Sequence, residues 1–75
     1  MINEALVSAR KEKGWTQDDV AQKLGCQKST VSNWERGYSK PPLEDAFRVA
    51  DLYGRTVESL FRHLLVQESQ TTIAR

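Results

Sequence analysis

The sequence predicts an all-α fold of five short helices, and three observations predict it. Each of the four glycines follows a segment whose apolar residues recur at helical spacing, where a helix is expected to stop. Thr16 and Thr56 stand just ahead of two such segments, in the place of N-capping residues. No alternating apolar–polar run argues for a strand, and no internal repeat interrupts the pattern.

The first helix is expected over roughly Asn3 to Lys13, with Leu6 and Val7 as apolar contacts and Gly14 ending it. The second begins after Thr16, with Asp18 and Asp19 in its first turn, where the positive end of the helix dipole favours carboxylates. Val20, Ala21 and Leu24 form its inward stripe, and Gly25 closes it in the left-handed conformation. The third must start almost at once, near Gln27 or Lys28, and runs to Glu35 or Arg36. Gly37 stops it, and Pro41-Pro42 prevent any continuation. After a loop at 37–42, the fourth covers about Leu43 to Tyr53, with Ala46, Val49, Ala50 and Tyr53 on one stripe and Gly54 at its end. Thr56 caps the fifth, with Glu58 and Ser59 in its first turn; Val57, Leu60 and Phe61 pack inward, and continuation through Leu64 and Leu65 is open. From Gln67 onward periodicity is lost. One domain over residues 1–65 and a flexible tail over 66–75 are expected.

Helices two and three meet at a tight Gly-containing turn, the arrangement of a helix-turn-helix, whose second helix is sized to enter a DNA major groove. The third helix divides by angle. At about 100° per residue from Lys28, the positions Lys28, Ser32, Arg36, Ser29 and Asn33 fall within an arc of about 140°. Val31 and Trp34 lie about 100–160° beyond its edge. One face therefore packs, and the other presents a lysine, two hydroxyls, an amide and a guanidinium, groups that hydrogen-bond base edges and phosphates. By itself such an arc reads as that of a solvated surface helix; the tight turn ahead of it turns the reading to recognition.

Seventy-five residues make one small domain, near the lower limit for a core without disulfide or metal staples. A hydrophobic content of 39% suits a compact helical bundle but leaves no room for a second, inducer-binding domain or an ordinary enzyme cleft. Glu4, Arg10, Lys11, Glu12 and Lys13 near the start exclude a signal peptide, and no apolar run approaches membrane-spanning length. A cytoplasmic or nucleoid-associated protein with no membrane contact is expected. The net charge of +1 is low for a nucleic-acid binder, but its placement is not neutral. Residues 23–40 hold Lys23, Lys28, Arg36 and Lys40 against Glu35 alone, whereas residues 41–75 hold four cations and five acids. The positive field surrounds the third helix.

One His, His63, and one Cys, Cys26, cannot make a metal site within a monomer, and no nucleophile–base–orienter set or phosphate-cradling Gly loop is present. No enzyme activity, metal or cofactor is expected. Cys26 reads as a small packed hydrophobe in the turn, His63 as a surface residue, and Trp15 and Trp34 as core anchors. Phe47, Phe61, Leu64 and Leu65 exceed what so small a core needs, which points to a homodimer surface on the fifth helix and its extension.

Several ordered motifs resemble one family. Arg10-Lys11-Glu12-Lys13-Gly14-Trp15-Thr16-Gln17, Val20-Ala21, Leu24-Gly25, Ser29-Thr30-Val31-Ser32 and Trp34-Glu35-Arg36-Gly37 are similar to the phage-repressor and Cro-like helix-turn-helix family, also called XRE. The likeness continues through Pro42-Leu43, Ala46-Phe47, Val49-Ala50, Tyr53-Gly54 and Val57-Glu58-Ser59-Leu60-Phe61, covering about residues 2–61. It implies a compact five-helix, lambda-repressor-like DNA-binding domain, of bacterial or phage origin, that binds palindromic operators as a dimer and regulates transcription, here as a repressor.

By that resemblance Gln17 bonds a DNA phosphate and buttresses the recognition helix, Lys28, Ser29 and Asn33 touch base edges, and Ser32 is a secondary base candidate. Arg36 and Lys40 match backbone-binding positions, with Ser39 assisting, and Arg10 with Glu35 resembles a structural ion pair. Two positions depart from the pattern. Gln27 stands where a capping Ser is usual, which leaves it as a further candidate to reach DNA. Arg55 replaces a customary Val, which implies a more exposed loop. Two other uses remain: an antitoxin or partner-binding role, in which the tail past Leu65 folds against another protein, and a purely structural bundle.

Overall fold

The computed structural model describes residues 2–62 and places five helices there. Helix α1 is Glu4–Glu12, α2 Gln17–Leu24, α3 Lys28–Arg36, α4 Leu43–Tyr53 and α5 Val57–Leu60, and no strand occurs among the described residues. The continuation through Leu64 and Leu65, His63 and the tail at 66–75 lie outside the described residues.

Local chemistry explains where each helix begins. Asn3 caps α1, its Oδ1 accepting from the Leu6 N–H at 3.2 Å. Thr16 and Asp19 form a reciprocal capping box on α2: the Asp19 N–H donates to Thr16 Oγ1 at 3.0 Å, and the Thr16 N–H donates to Asp19 Oδ2 at 2.9 Å. Thr56 caps α5 by accepting from the Ser59 N–H at 3.0 Å. Gln27 and Pro42 precede α3 and α4 without a side-chain cap.

The Thr16 backbone N–H, with the Thr16 side chain second, holds the Asp19 carboxyl below the ordinary aspartate range. A carboxyl whose pKa falls on folding stabilises above its unfolded pKa, and that contribution is lost as pH drops through the folded pKa. Asp19→Asn is therefore expected to lower the melting temperature near neutrality and to narrow its gap to wild type below about pH 3–4. Thermal melts across pH check this, and a gap that stays constant into acid would contradict it.

The turn between α2 and α3 depends on Gly25, whose φ of 74° is left-handed and open to glycine at no steric cost. It lets the Gly25 and Cys26 N–H groups return to Gln22 and Ala21 carbonyls at 3.3 and 2.9 Å, which ends α2 and starts α3 two residues later.

The core lies between the helices. Leu6 and Ala9 of α1, the Val20–Ala21–Leu24 stripe of α2, Val31 and Trp34 of α3, the four-residue stripe of α4 and Leu60 with Phe61 are buried in one cluster. Three expectations are corrected. Val7 is only half-buried, because α1 turns Ala9 inward beside Leu6 instead. Trp15 packs against the core from its edge, its ring tilted 31° to that of Tyr53 at 6.2 Å between centroids and covered on one side by Lys23 at 4.7 Å. Phe61 packs inward as expected, at 4% exposed, and so has no face left for the dimer surface on which it was also expected.

Candidate nucleic-acid interface

Helix α3 is seated by its apolar side. Val31 and Trp34 are 2% and 7% exposed, so the arc opposite them is turned outward. On that arc Lys28, Ser29 and Arg36 are exposed, while Ser32 and Asn33 are half-buried but uncovered in part. Gln27, at the helix entrance, is exposed and accepts weakly from the Ser29 hydroxyl at 3.5 Å. Ser39 and Lys40 are exposed in the loop beyond Gly37. The nine candidate contact residues include Gln17 at the start of α2, which is half-buried. Among the described residues no group of His, Cys, Asp and Glu is arranged to hold a metal ion.

Glu35 is the one carboxylate within α3, and it is 4% exposed. Arg10 grips it with two hydrogen bonds, Nε to Oε2 at 2.7 Å and Nη2 to Oε1 at 3.2 Å, while Arg10 Nη1 donates to the Trp15 carbonyl at 2.9 Å. The Gln17 amide nitrogen donates to the same Oε1 at 3.0 Å. The hydrogen bonds to Glu35 raise the Arg10 pKa against the opposing effect of burial. This knot joins α1, the α1–α2 loop, the start of α2 and the end of α3, and withdraws a negative charge from the outward arc. Nearby, burial pushes the Tyr53 phenol up to about 12; Glu35 adds to that and Arg10 opposes it, so the ring stays neutral.

Asn3 was legible only as a helix start, yet it does more than cap α1. It is buried, its Nδ2 donates to the Leu60 carbonyl at 2.9 Å, and its N–H donates to the Glu35 carbonyl at 2.7 Å. It ties the chain start to the ends of α3 and α5. The expectation of an exposed loop at Arg55 is also corrected: Arg55 is half-buried and folds back to pair with Glu12 of α1. Cys26 is half-buried beside Arg48, whose Nη2 closes the Leu24 carbonyl at 2.7 Å, and burial pushes the Cys26 thiol up, away from the reactive thiolate. Tyr38, absent from the sequence-level candidates, is 72% exposed directly beside the end of α3. Its signal in the sequence was an aromatic set between two cations, Arg36 and Lys40, just past a helix stop.

A family profile described as helix-turn-helix matches residues 6–60, most of the chain, including all of α2 and α3. This chain belongs to the XRE-type helix-turn-helix family. It is similar to the HTH-type transcriptional regulator AnsR of Bacillus subtilis, 39% identical over 57 residues that cover 76% of this chain and 49% of AnsR. It is also similar to the cryptic phage CTXphi transcriptional repressor RstR of Vibrio cholerae, 30% identical over 73 residues, 97% of this chain and 61% of RstR. The antitoxin HipB of Escherichia coli K12 matches at 33% over 48 residues, 64% of this chain and 54% of HipB. The chain thus spans about half the length of several curated relatives it matches. No solved structure matches it. XRE-type members are DNA-binding transcriptional regulators and not enzymes. No helix among the described residues is long and apolar enough to cross a membrane.

Proposed function

We propose that this chain binds double-stranded DNA as a transcriptional repressor, laying α3 in the major groove of a palindromic operator. The observation that carries this reading is the division of α3: Val31 and Trp34 are buried, and Lys28, Ser29 and Asn33 project together from the opposite side. Lys28 suits guanine O6/N7, Asn33 suits adenine N6/N7, and Ser29, Ser32 and Gln27 complete the base-reading set. Gln17, Arg36, Ser39 and Lys40 hold phosphates on either side. Gln17 commits its amide nitrogen to Glu35, so its second amide hydrogen is the one offered to a phosphate.

Selection from a randomised duplex library tests the reading directly. A recovered motif with two half-sites about one helical turn apart, or a multiple of that, is expected, and recovery of no motif would overturn it. Asn33→Ala is expected to relax base preference at one position, at about 1–3 kcal/mol, whereas Lys40→Ala should weaken all sequences alike and reduce the salt slope by about 1. Equal losses on selected and random duplexes for both variants would contradict that division of labour.

The dimer surface we assign to Phe47, 55% exposed, and to Leu43 four residues before it on the same side of α4. Leu64 and Leu65, also expected there, lie outside the described residues. Phe47→Glu should shift the protein to monomer in analytical ultracentrifugation and weaken operator binding; a wild-type monomer at operator-saturating concentration would refute the dimer. Similarity to HipB supports a second reading, in which the chain also serves a protein partner in antitoxin fashion.

A further inference from the structure

Tyr38 and Arg36 form a pair where the chain leaves α3. The Arg36 guanidinium carbon lies 5.3 Å from the centroid of the Tyr38 ring, within the range where a cation is attracted by the ring's π face. The backbone builds this arrangement. Gly37 takes φ 80°, and the Tyr38 N–H returns to the Asn33 carbonyl at 3.0 Å, with the Ser39 N–H on the same oxygen at 3.4 Å. The chain is therefore folded back over the last turn of α3, which brings the ring alongside a side chain only two residues away. Among the described residues no carboxylate pairs with Arg36, since the adjacent Glu35 is bound by Arg10 and Gln17. Tyr38 itself is wide open to solvent, so a place in the core does not account for it.

A guanidinium stacked on an aromatic face keeps its N–H donors directed outward around its edge, and a long side chain held this way loses less rotamer freedom on binding. We propose that Tyr38 is a positioning residue that holds Arg36 ready for a DNA phosphate, acting through the face of its ring and not through its hydroxyl. The inference rests on the reading of Arg36 as a phosphate contact and adds to it the device that fixes that arginine in advance. Tyr38→Phe keeps the ring, while Tyr38→Leu keeps apolar bulk without a π face, so the two variants separate the roles.

The test uses the full chain and a random-sequence duplex, because a phosphate contact does not require an operator. In the free protein, NMR should find Arg36 side-chain protons shifted upfield by the ring in wild type and in Tyr38→Phe, with the shift lost in Tyr38→Leu. By fluorescence anisotropy at low salt, Tyr38→Phe should bind as wild type, and Tyr38→Leu about two- to five-fold more weakly. Arg36→Ala should reduce the salt slope by about 0.9, and adding Tyr38→Leu to Arg36→Ala should cost nothing further. Equal losses from Tyr38→Leu with and without Arg36 would overturn the proposal, as would a Tyr38→Phe loss matching that of Tyr38→Leu. A ring shift present in a wild type that binds no duplex would overturn the phosphate reading of Arg36 and the inference with it; an absent shift with intact binding would overturn the inference alone.

Discussion

Replacing Arg10 by alanine is expected to destabilise the domain by about 3–5 kcal/mol, the usual cost of stranding one member of a buried ion pair. Glu35 is buried, and its carboxylate relies on Arg10 for two of its three side-chain hydrogen bonds. Without the guanidinium, Gln17 alone would face it, and the Trp15 carbonyl would lose its donor as well. At about 0.05–0.15 kcal/mol per residue, a chain of 75 residues holds about 4–11 kcal/mol in total, so the variant should lose about a third or more of its stability. Urea unfolding followed by circular dichroism measures this, with a lower midpoint and an unchanged slope expected.

The companion variant separates a stranded charge from a strong bond. Arg10→Met combined with Glu35→Leu removes both charges and keeps apolar volume, so it should melt well above Arg10→Ala and within about 1–2 kcal/mol of wild type. A single Arg10→Ala cost under 1 kcal/mol would mean that Glu35 finds other partners, and that the knot does not hold α3 against α1. The pair is functional scaffolding on this account. It fixes the angle of α3, and it keeps a carboxylate from the face proposed to meet phosphates.

Much of this was readable from the residues in order. Helix positions followed from the Thr16 and Thr56 caps and from glycines placed after apolar stripes, because capping and left-handed closure are local chemistry. The outward arc of α3 followed from Val31 and Trp34, since a helix with one apolar side has a determined orientation toward a core. What escaped depends on partners distant in sequence. Asn3 meets Leu60 across 57 positions, and no local pattern signals such a contact. Arg55 looked exposed because its partner, Glu12, belongs to the far end of the chain. Phe61 looked surplus to the core because a count of large apolar residues ignores how much space five short helices leave between them. The Tyr38 ring lies beside Arg36 only because Gly37 reverses the backbone, and the conformation of one glycine decides which neighbours two apart in sequence can stack.

Trp34→Ala carries the other large expected effect. The indole is 7% exposed and, with Val31, is what turns α3 inward. Truncating a buried aromatic to alanine costs about 3–5 kcal/mol, from lost transfer energy and from the cavity left behind. Local structure in α3 does little to offset that loss: its entrance at Gln27 has no side-chain cap, and nine residues are too few to persist as a helix without packing. The variant should therefore lose most of its helical signal at 37 °C and all measurable duplex binding. Trp34→Phe, which keeps a ring in the same space, should cost less, about 1–2 kcal/mol, and remain folded at 25 °C. Its use is to separate stability from recognition. Because Lys28, Ser29 and Asn33 stay on the outward arc as long as the helix is anchored, folded Trp34→Phe should retain the base preference of wild type while melting at lower urea. A stable Trp34→Phe with altered base preference would mean that Trp34 aims the recognition face as well as holding it. A Trp34→Ala variant within 1 kcal/mol of wild type would mean that this helix is anchored elsewhere, and would remove the basis for placing that trio toward DNA.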